Sequence, residues 1–232
     1  MSARYAIYYT PAQEDSLLRT ASAWLGRDAF DGRTPSRPKA AELQDLDLDA
    51  LTADPRGYGF HATLKAPFEL AEGATEEELL KFARAFAAGQ ASFEATLAPA
   101  ALGRFLALRL ETSTPQMDAL AAACVRAFDP FRAPLSDFDL ARRRKAPLSP
   151  GQDARLVEWG YPYIFEDFRF HMTLTGQIAD EGVRSRVLHV LRSMFPVKPH
   201  RFDAVAVFKQ SARSEPFHVI ARPTFAGATV SP

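Results

Sequence analysis

The tetrapeptide His61-Ala62-Thr63-Leu64 returns 110 residues later as His171-Met172-Thr173-Leu174, and a phenylalanine, Phe60 or Phe170, precedes each copy. The chain has 13 threonines in 232 residues, so a Thr two places after a given His is uncommon, and His189, His200 and His218 have none. The surroundings repeat too. Each half reads strand, Thr-Pro helix start, irregular stretch, His-x-Thr strand, helix, strand, beginning at Tyr5 in the first half and near Phe105 in the second. The strands that follow the motif helices begin at Phe93 and Phe202, 109 residues apart. Matched spacing of this kind marks two copies of one supersecondary unit. A lone copy would leave a sheet face bare, so the copies are expected to pack together. A pseudo-twofold between them would set both His-x-Thr segments on one cleft.

Local signals fill in the elements. Tyr5 to Tyr9 is a β-rich strand. Thr10-Pro11-Ala12-Gln13 carries a capping-box pattern that predicts a helix running to about Leu25 and stopped by Gly26. Gly59 to Ala66 and Phe168 to Gln177 are the motif strands, and Arg201 to Phe208 reads as one strand. A Thr75 cap opens one helix, Thr114-Pro115 another, and Asp180 a third that Pro196 stops. Cys124 falls on the apolar face of its helix and is expected in the core. Asp28 to Arg56 reads as a long loop with at most one short helix. The second irregular region, 129–163, holds Arg142-Arg143-Arg144-Lys145 and a helix from Pro150 to Trp159. That basic run suits either a cover over an anionic ligand or a solvated face.

On a strand, residues two apart share a face. His61 therefore projects with Thr63, and His171 with Thr173. By the same count Lys65, Thr175 and Arg169 share those faces. Two imidazoles, two hydroxyls and one or two cations fit the cleavage of a cyclic phosphodiester. One neutral His takes a proton from water while the other, protonated, gives one to the departing sugar oxygen. The ordinary imidazole value of about 6.5 suits both tasks. Hydroxyls and a cation would steady the phosphoryl oxygens. No metal is needed for this. A two-histidine metal site fits less well, because neither motif has a carboxylate on the same face. Tyr8, Tyr161 and Tyr163 are candidates to stack on a base or sugar, or to pack the walls.

Composition narrows the partners. The 28 basic and 28 acidic residues cancel, so the basic excess of proteins that grip extended nucleic acid is missing. A small anionic ligand needs only a local basic pocket. One cysteine rules out an internal disulfide and a Cys-x-x-Cys zinc pattern. Neither a signal-peptide core nor a membrane-spanning apolar run is evident, which makes a cytoplasmic location the expectation and a membrane partner an unexpected one. Oligomeric state is not legible.

At the two tetrapeptides the chain resembles the 2H phosphoesterase superfamily, named for its paired His-x-Thr/Ser motifs. Trp159-Gly160-Tyr161-Pro162-Tyr163 followed by Phe168-Arg169-Phe170-His171-Met172-Thr173-Leu174-Thr175-Gly176 is similar to a bacterial subfamily often encoded beside phosphonate-utilisation genes. Arg4-Tyr5-Ala6-Ile7-Tyr8-Tyr9 and Tyr58-Gly59-Phe60-His61-Ala62-Thr63-Leu64-Lys65 look like it as well. The resemblance implies an α+β fold. In it, duplicated strand-helix-strand-helix-strand units form a bilobal single domain over 1–232, with two antiparallel-rich sheets facing a central cleft. The lobes would cover approximately 1–100 and 101–223, strands being exchanged between them or not, with 224–232 as a flexible tail. It also implies acid/base roles for His61 and His171 and phosphate contacts for Thr63 and Thr173.

The expected activity is metal-independent hydrolysis of a small cyclic phosphodiester, of 2′,3′-cyclic nucleotide or ribose cyclic phosphate type, without a cofactor. A binding module that holds a phosphorylated metabolite or an RNA end without turnover is the alternative. Processing of RNA ends is a third reading, disfavoured by the neutral charge.

Overall fold

A computed structural model of the protein describes residues 3–226. In chain order it contains strand β1 (Arg4–Tyr9), helices α1 (Ser16–Leu25) and α2 (Leu48–Tyr58), strand β2 (Ala62–Glu69), helix α3 (Glu76–Ala88), and strands β3 (Phe93–Leu102) and β4 (Phe105–Leu110). Helices α4 (Pro115–Ala127), α5 (Asp137–Arg143) and α6 (Pro150–Trp159) follow, then the short strand β5 (Met172–Thr173) and helix α7 (Glu181–Met194). Strands β6 (Lys198–Phe202), β7 (Ala206–Gln210) and β8 (His218–Ala221) close the described chain. The class is α+β, as the sequence led us to expect.

All strand pairs are antiparallel, in the order β6-β3-β4-β5-β2-β1-β7-β8. The groups β6-β3-β4-β5 and β2-β1-β7-β8 meet through one register pair, Ala62 opposite Met172. The central residues of the two motifs are thus hydrogen-bonded neighbours at the seam. Strand β1 is buried on both faces. Tyr5, Ile7 and Tyr9 enter the main core, while Ala6 and Tyr8 join a smaller cluster with Ala206, Phe208 and Phe217.

Several caps behave as read. Thr75 and Glu78 form a reciprocal capping box on α3, Asp180 caps α7, and Gly160 ends α6 in the left-handed region. Cys124 is fully buried. The first helix differs. It starts at Ser16 under an Asp15 cap rather than at Thr10, because the Thr10 hydroxyl donates to the Phe60 carbonyl at 2.8 Å. The side chain that would cap a helix instead ties β1 to the first motif. The expected strand over 201–208 also divides. Lys198 to Phe202 pairs with β3, and Ala206 to Gln210 with β1 in the other group. Phe93 and Phe202, read as equivalent strand starts, are cross-strand partners with stacked rings 5.2 Å apart. Nor is the tail loose at its beginning. Thr224 bridges Ala204, and Phe225 is 3% exposed with its N–H on the Asp203 carbonyl. The remainder of that expectation, 227–232, lies outside the described residues.

Candidate active site

His61 and His171 stand one residue before β2 and β5, so the pairing of those strands brings both imidazoles to one cavity of about 340 Å³. Thr63 and Thr173 line it as well. Each imidazole is held in the same way. His61 Nδ1 lies 2.8 Å from the Gly59 carbonyl, and His171 Nδ1 lies 2.7 Å from the Arg169 carbonyl, in both cases two residues back. A carbonyl only accepts, so Nδ1 carries the hydrogen. Nε2 is left to the cavity, a lone pair when the ring is neutral and a donor when it is charged.

The His61 anchor depends on Gly59. Its φ is +78° with an extended ψ, and a Cβ there would sit 2.5 Å from the Ala29 Cβ. Only glycine adopts this backbone without strain. Gly59→Ala is expected to destabilise the fold by about 1–3 kcal/mol from backbone strain alone. Because the carbonyl moves with it, any turnover that depends on the His61 ring should fall by roughly tenfold or more. A thermal melt alongside an activity assay checks both.

Beyond each threonine the strand changes phase. Tyr8 faces Thr63, yet the next residue back, Ile7, faces Lys65, so Leu64 is extra. In the second copy Ala107 faces Thr173, and both Leu174 N–H and Thr175 N–H then donate to the Leu106 carbonyl. Each is a β-bulge, and a bulge re-aims the side chains beyond it. Two sequence expectations fail here for one reason. Lys65 points away from the cavity, 3% exposed, with Nζ on the Asp129 carboxylate at 2.9 Å and the Val125 carbonyl at 3.0 Å. Thr175 is 1% exposed; its hydroxyl donates to the Gly176 carbonyl and accepts from Leu106 N–H. Neither lines the cavity.

Distant elements hold the second motif in place. Trp24 of α1 donates its indole N–H to the Leu174 carbonyl at 2.8 Å. Pro55 lies inside α2 and has no N–H to give the carbonyl four residues before it, that of Leu51. That free carbonyl takes the Gly176 N–H at 2.7 Å. The region read as a long loop with at most one short helix therefore contributes α2, whose proline leaves an acceptor for the second motif strand.

The two imidazoles differ in surroundings. His61 stacks on Tyr8 with centroids 4.0 Å apart and lies 5.8 Å from Tyr58, whereas His171 has the Phe105 ring at 5.8 Å. Burial, seconded by the charge of His171, pulls His61 down to about 4, against the opposing pull of the Gly59 carbonyl. Burial first, with the Arg109 charge behind it, also lowers His171.

Tyr8 and Tyr161 line this cavity. Tyr163 and Arg169 border an adjoining cavity of about 400 Å³, walled by Leu102, Phe105, Ile164 and Phe168, that shares Thr63, His171 and Tyr161. Arg169 Nη1 donates to the carbonyls of Glu166 and Phe168 at 2.9 and 2.8 Å. Sequence reasoning missed Arg4, Asp54, Tyr58 and, as individual residues, Arg142 and Arg143, all on the histidine cavity. The basic run 142–145 was the available signal for Arg143. Tyr58, directly before Gly59-Phe60-His61, carried none. Among the described residues no group of three or more His, Cys, Asp or Glu is placed to hold a metal ion, and no helix is long and apolar enough to cross a membrane. Burial pushes the Cys124 thiol well up, which suits a packing role.

A family described as "Protein of unknown function (DUF1045)" matches residues 63–218. Two curated proteins are similar, both called ribose 1,5-bisphosphate phosphokinase PhnN. One, from Janthinobacterium sp. (strain Marseille), is 40% identical over 97% of this chain and 51% of its own length. The other, from Laribacter hongkongensis (strain HLHK9), is 41% identical over 78% of this chain and 42% of its own length. The chain thus spans about half the length of the curated relatives it matches. Among solved structures, E. coli LigT complexed with 3′-AMP has a TM-score of 0.48 at 13% identity, covering 97% of this chain and 99% of that one. TT0787 of Thermus thermophilus has 0.45 at 14%, covering 99% and 100%.

Proposed function

The chain belongs to the DUF1045 family, and from that premise we propose that it is a metal-independent phosphoesterase of the 2H type that opens a small cyclic phosphodiester. One observation carries the reading: two imidazoles, each fixed through Nδ1 to a backbone carbonyl, leave Nε2 to one cavity beside two threonine hydroxyls. The tautomer is set in advance, so neither ring needs to reorient for proton transfer.

The asymmetry of the pair supports an assignment of roles. His61, the more depressed, is neutral and acts as base; its Nε2 takes a proton from water as the water oxygen bonds to phosphorus. His171, protonated, gives its Nε2 proton to the sugar oxygen as the phosphorus–oxygen bond of the ring breaks. The products are a phosphomonoester and a free hydroxyl. His61 is left charged and His171 neutral, and exchange with solvent resets them. The Thr63 and Thr173 hydroxyls donate to the non-bridging oxygens. Tyr8 holds the His61 ring by stacking.

A pH dependence follows. Activity needs His61 deprotonated and His171 protonated. kcat/KM should rise as pH climbs through about 4 and fall as pH passes the His171 value, which lies below 6.5. The optimum is therefore acidic. A rate that stays level from pH 5 to 9 would remove His171 as the acid.

The relatives' name supports a sugar substrate. This sequence contains no Gly-Lys-Ser/Thr phosphate loop, so the kinase chemistry of the longer PhnN proteins is assigned to the rest of their length. A ribose cyclic phosphodiester opened by water gives a ribose phosphomonoester, the class of compound such a kinase consumes. The deciding experiment is a screen of 2′,3′-cyclic nucleotides, cyclic ADP-ribose phosphates and ribose cyclic phosphates with chelator present. Turnover that vanishes with chelator counts against the metal-independent scheme, and saturable binding without turnover favours a binding module.

A further inference from the structure

Helix α5 ends in the run Arg142-Arg143, with Arg144 as its C-cap. The outer two arginines are matched: Arg142 to Asp139 at 3.1 Å and Arg144 to Asp153 at 2.7 Å. Arg143 has neither a hydrogen bond nor an ion pair among the described residues. Its Nε is buried without a partner, and its guanidinium carbon lies 5.1 Å from the centre of the Tyr161 ring. Leaving a buried donor unmet is unfavourable, so an unmet guanidinium on a cavity wall marks a place for an acceptor.

Arg143 borders two spaces at once: the histidine cavity and a smaller one of about 80 Å³ next to it. Arg4 borders both as well. Its guanidinium is hydrogen-bonded to Gln210, a neutral amide, and makes no ion pair among the described residues, although the Glu69 and Asp139 carboxylates border the smaller space. Asp54 is the one carboxylate on the histidine cavity among the described residues, against Arg4, Arg142 and Arg143, of which Arg142 is paired with Asp139. Tyr8, Tyr58 and Tyr161 also line this cavity, and their hydroxyls make no hydrogen bond among the described residues, so each can donate to an anion. A planar fork of five N–H groups matches phosphate oxygens. In the proposed scheme the threonines beside the histidines serve the reacting phosphorus. That leaves the arginine pair for another group on the same molecule.

We propose that Arg143, with Arg4, forms a second anion subsite, and that the substrate is a cyclic phosphodiester carrying an additional phosphomonoester that this subsite holds. The idea rests on the cyclic phosphodiesterase reading and narrows its substrate class to doubly phosphorylated sugars or nucleosides. The subsite orients the sugar, so that one ring oxygen faces His171 and the water path faces His61.

The test compares ribose 1,2-cyclic phosphate with its 5-phosphorylated form, on the wild-type protein, Arg143→Ala and Arg143→Lys. The wild type should favour the 5-phosphorylated diester in kcat/KM by about 10²-fold, the range of one charge-assisted pair. Arg143→Ala should collapse that ratio to a few-fold, and Arg143→Lys should restore part of it, since a lysine keeps the charge but loses the fork. Equal ratios in wild type and Arg143→Ala, or equal losses on both diesters, would overturn the subsite. Should the wild type hydrolyse neither diester, the catalytic reading fails, and calorimetric titration with ribose 5-phosphate judges the subsite alone. Binding that disappears in Arg143→Ala keeps it; binding indifferent to the substitution, or none, removes it. Thermal melts confirm that each variant is folded.

Discussion

Replacing either His61 or His171 with alanine is expected to lower hydrolysis of a cyclic phosphodiester by about 10²–10⁴, the usual worth of one proton transfer. The fold should survive both changes. Each ring makes one hydrogen bond, to a backbone carbonyl of its own segment, and each side chain is in part exposed to the cavity. The double substitution should fall well short of the product of the two losses, because the histidines act on one transition state. Leaving-group chemistry separates their roles. A cyclic diester of catechol expels a phenoxide, which needs less protonation than a sugar alkoxide. On that substrate the His171→Ala loss should shrink while the His61→Ala loss persists. The reverse pattern would exchange acid and base, and full activity in either variant on the sugar diester would end the proposal.

The parts of the site that were legible in the sequence are those set by short-range periodicity. His61 and Thr63 lie two apart, as do His171 and Thr173, and the strand period carries both pairs to one cavity. The α+β class came with the resemblance that the two motifs carry, and the caps at Thr75 and Asp180 come from local hydrogen bonding. The failures lay one step further along the same strands. A bulge at Leu64 and another at Leu174 invert the phase, and neither involves a glycine that would flag it. Extrapolating the period by two more residues therefore misplaced Lys65 and Thr175 together. The wall residues were hidden for a different reason. Tyr58 reaches the cavity because α2 docks against the second motif through the Leu51 carbonyl, a contact 125 residues away in sequence. Arg143 stands out from its basic neighbours only once Asp139 and Asp153 are seen to claim the other two.

The reassignment of Lys65 has a large consequence for stability. Its ammonium is buried, bound to the Asp129 carboxylate and the Val125 carbonyl, and burial already lowers its affinity for a proton. Asp129 also holds Arg132, with Nε 2.8 Å from the same oxygen. Asp129→Ala leaves a buried cation with one carbonyl and is expected to destabilise the protein by about 3–5 kcal/mol. For a chain of this size that lowers the melting temperature by roughly 6–20 °C. Lys65→Met fills the same space with an apolar chain and leaves Asp129 paired with Arg132, so its cost should be small. Adding it to Asp129→Ala should recover most of the loss. Lys65→Met should also leave turnover intact; a folded Lys65→Met protein without activity would return Lys65 to the phosphate site and discard the bulge argument. The pH dependence gives a separate check. The folded state holds the Lys65 proton more weakly than the unfolded chain, whose value is near 10.5, so this group contributes stability that increases with pH. In Asp129→Ala, where nothing offsets the burial, that rise should be steeper. The melting gap from wild type should therefore narrow as the pH is raised from neutral toward 10.5, because the stranded lysine can shed its proton.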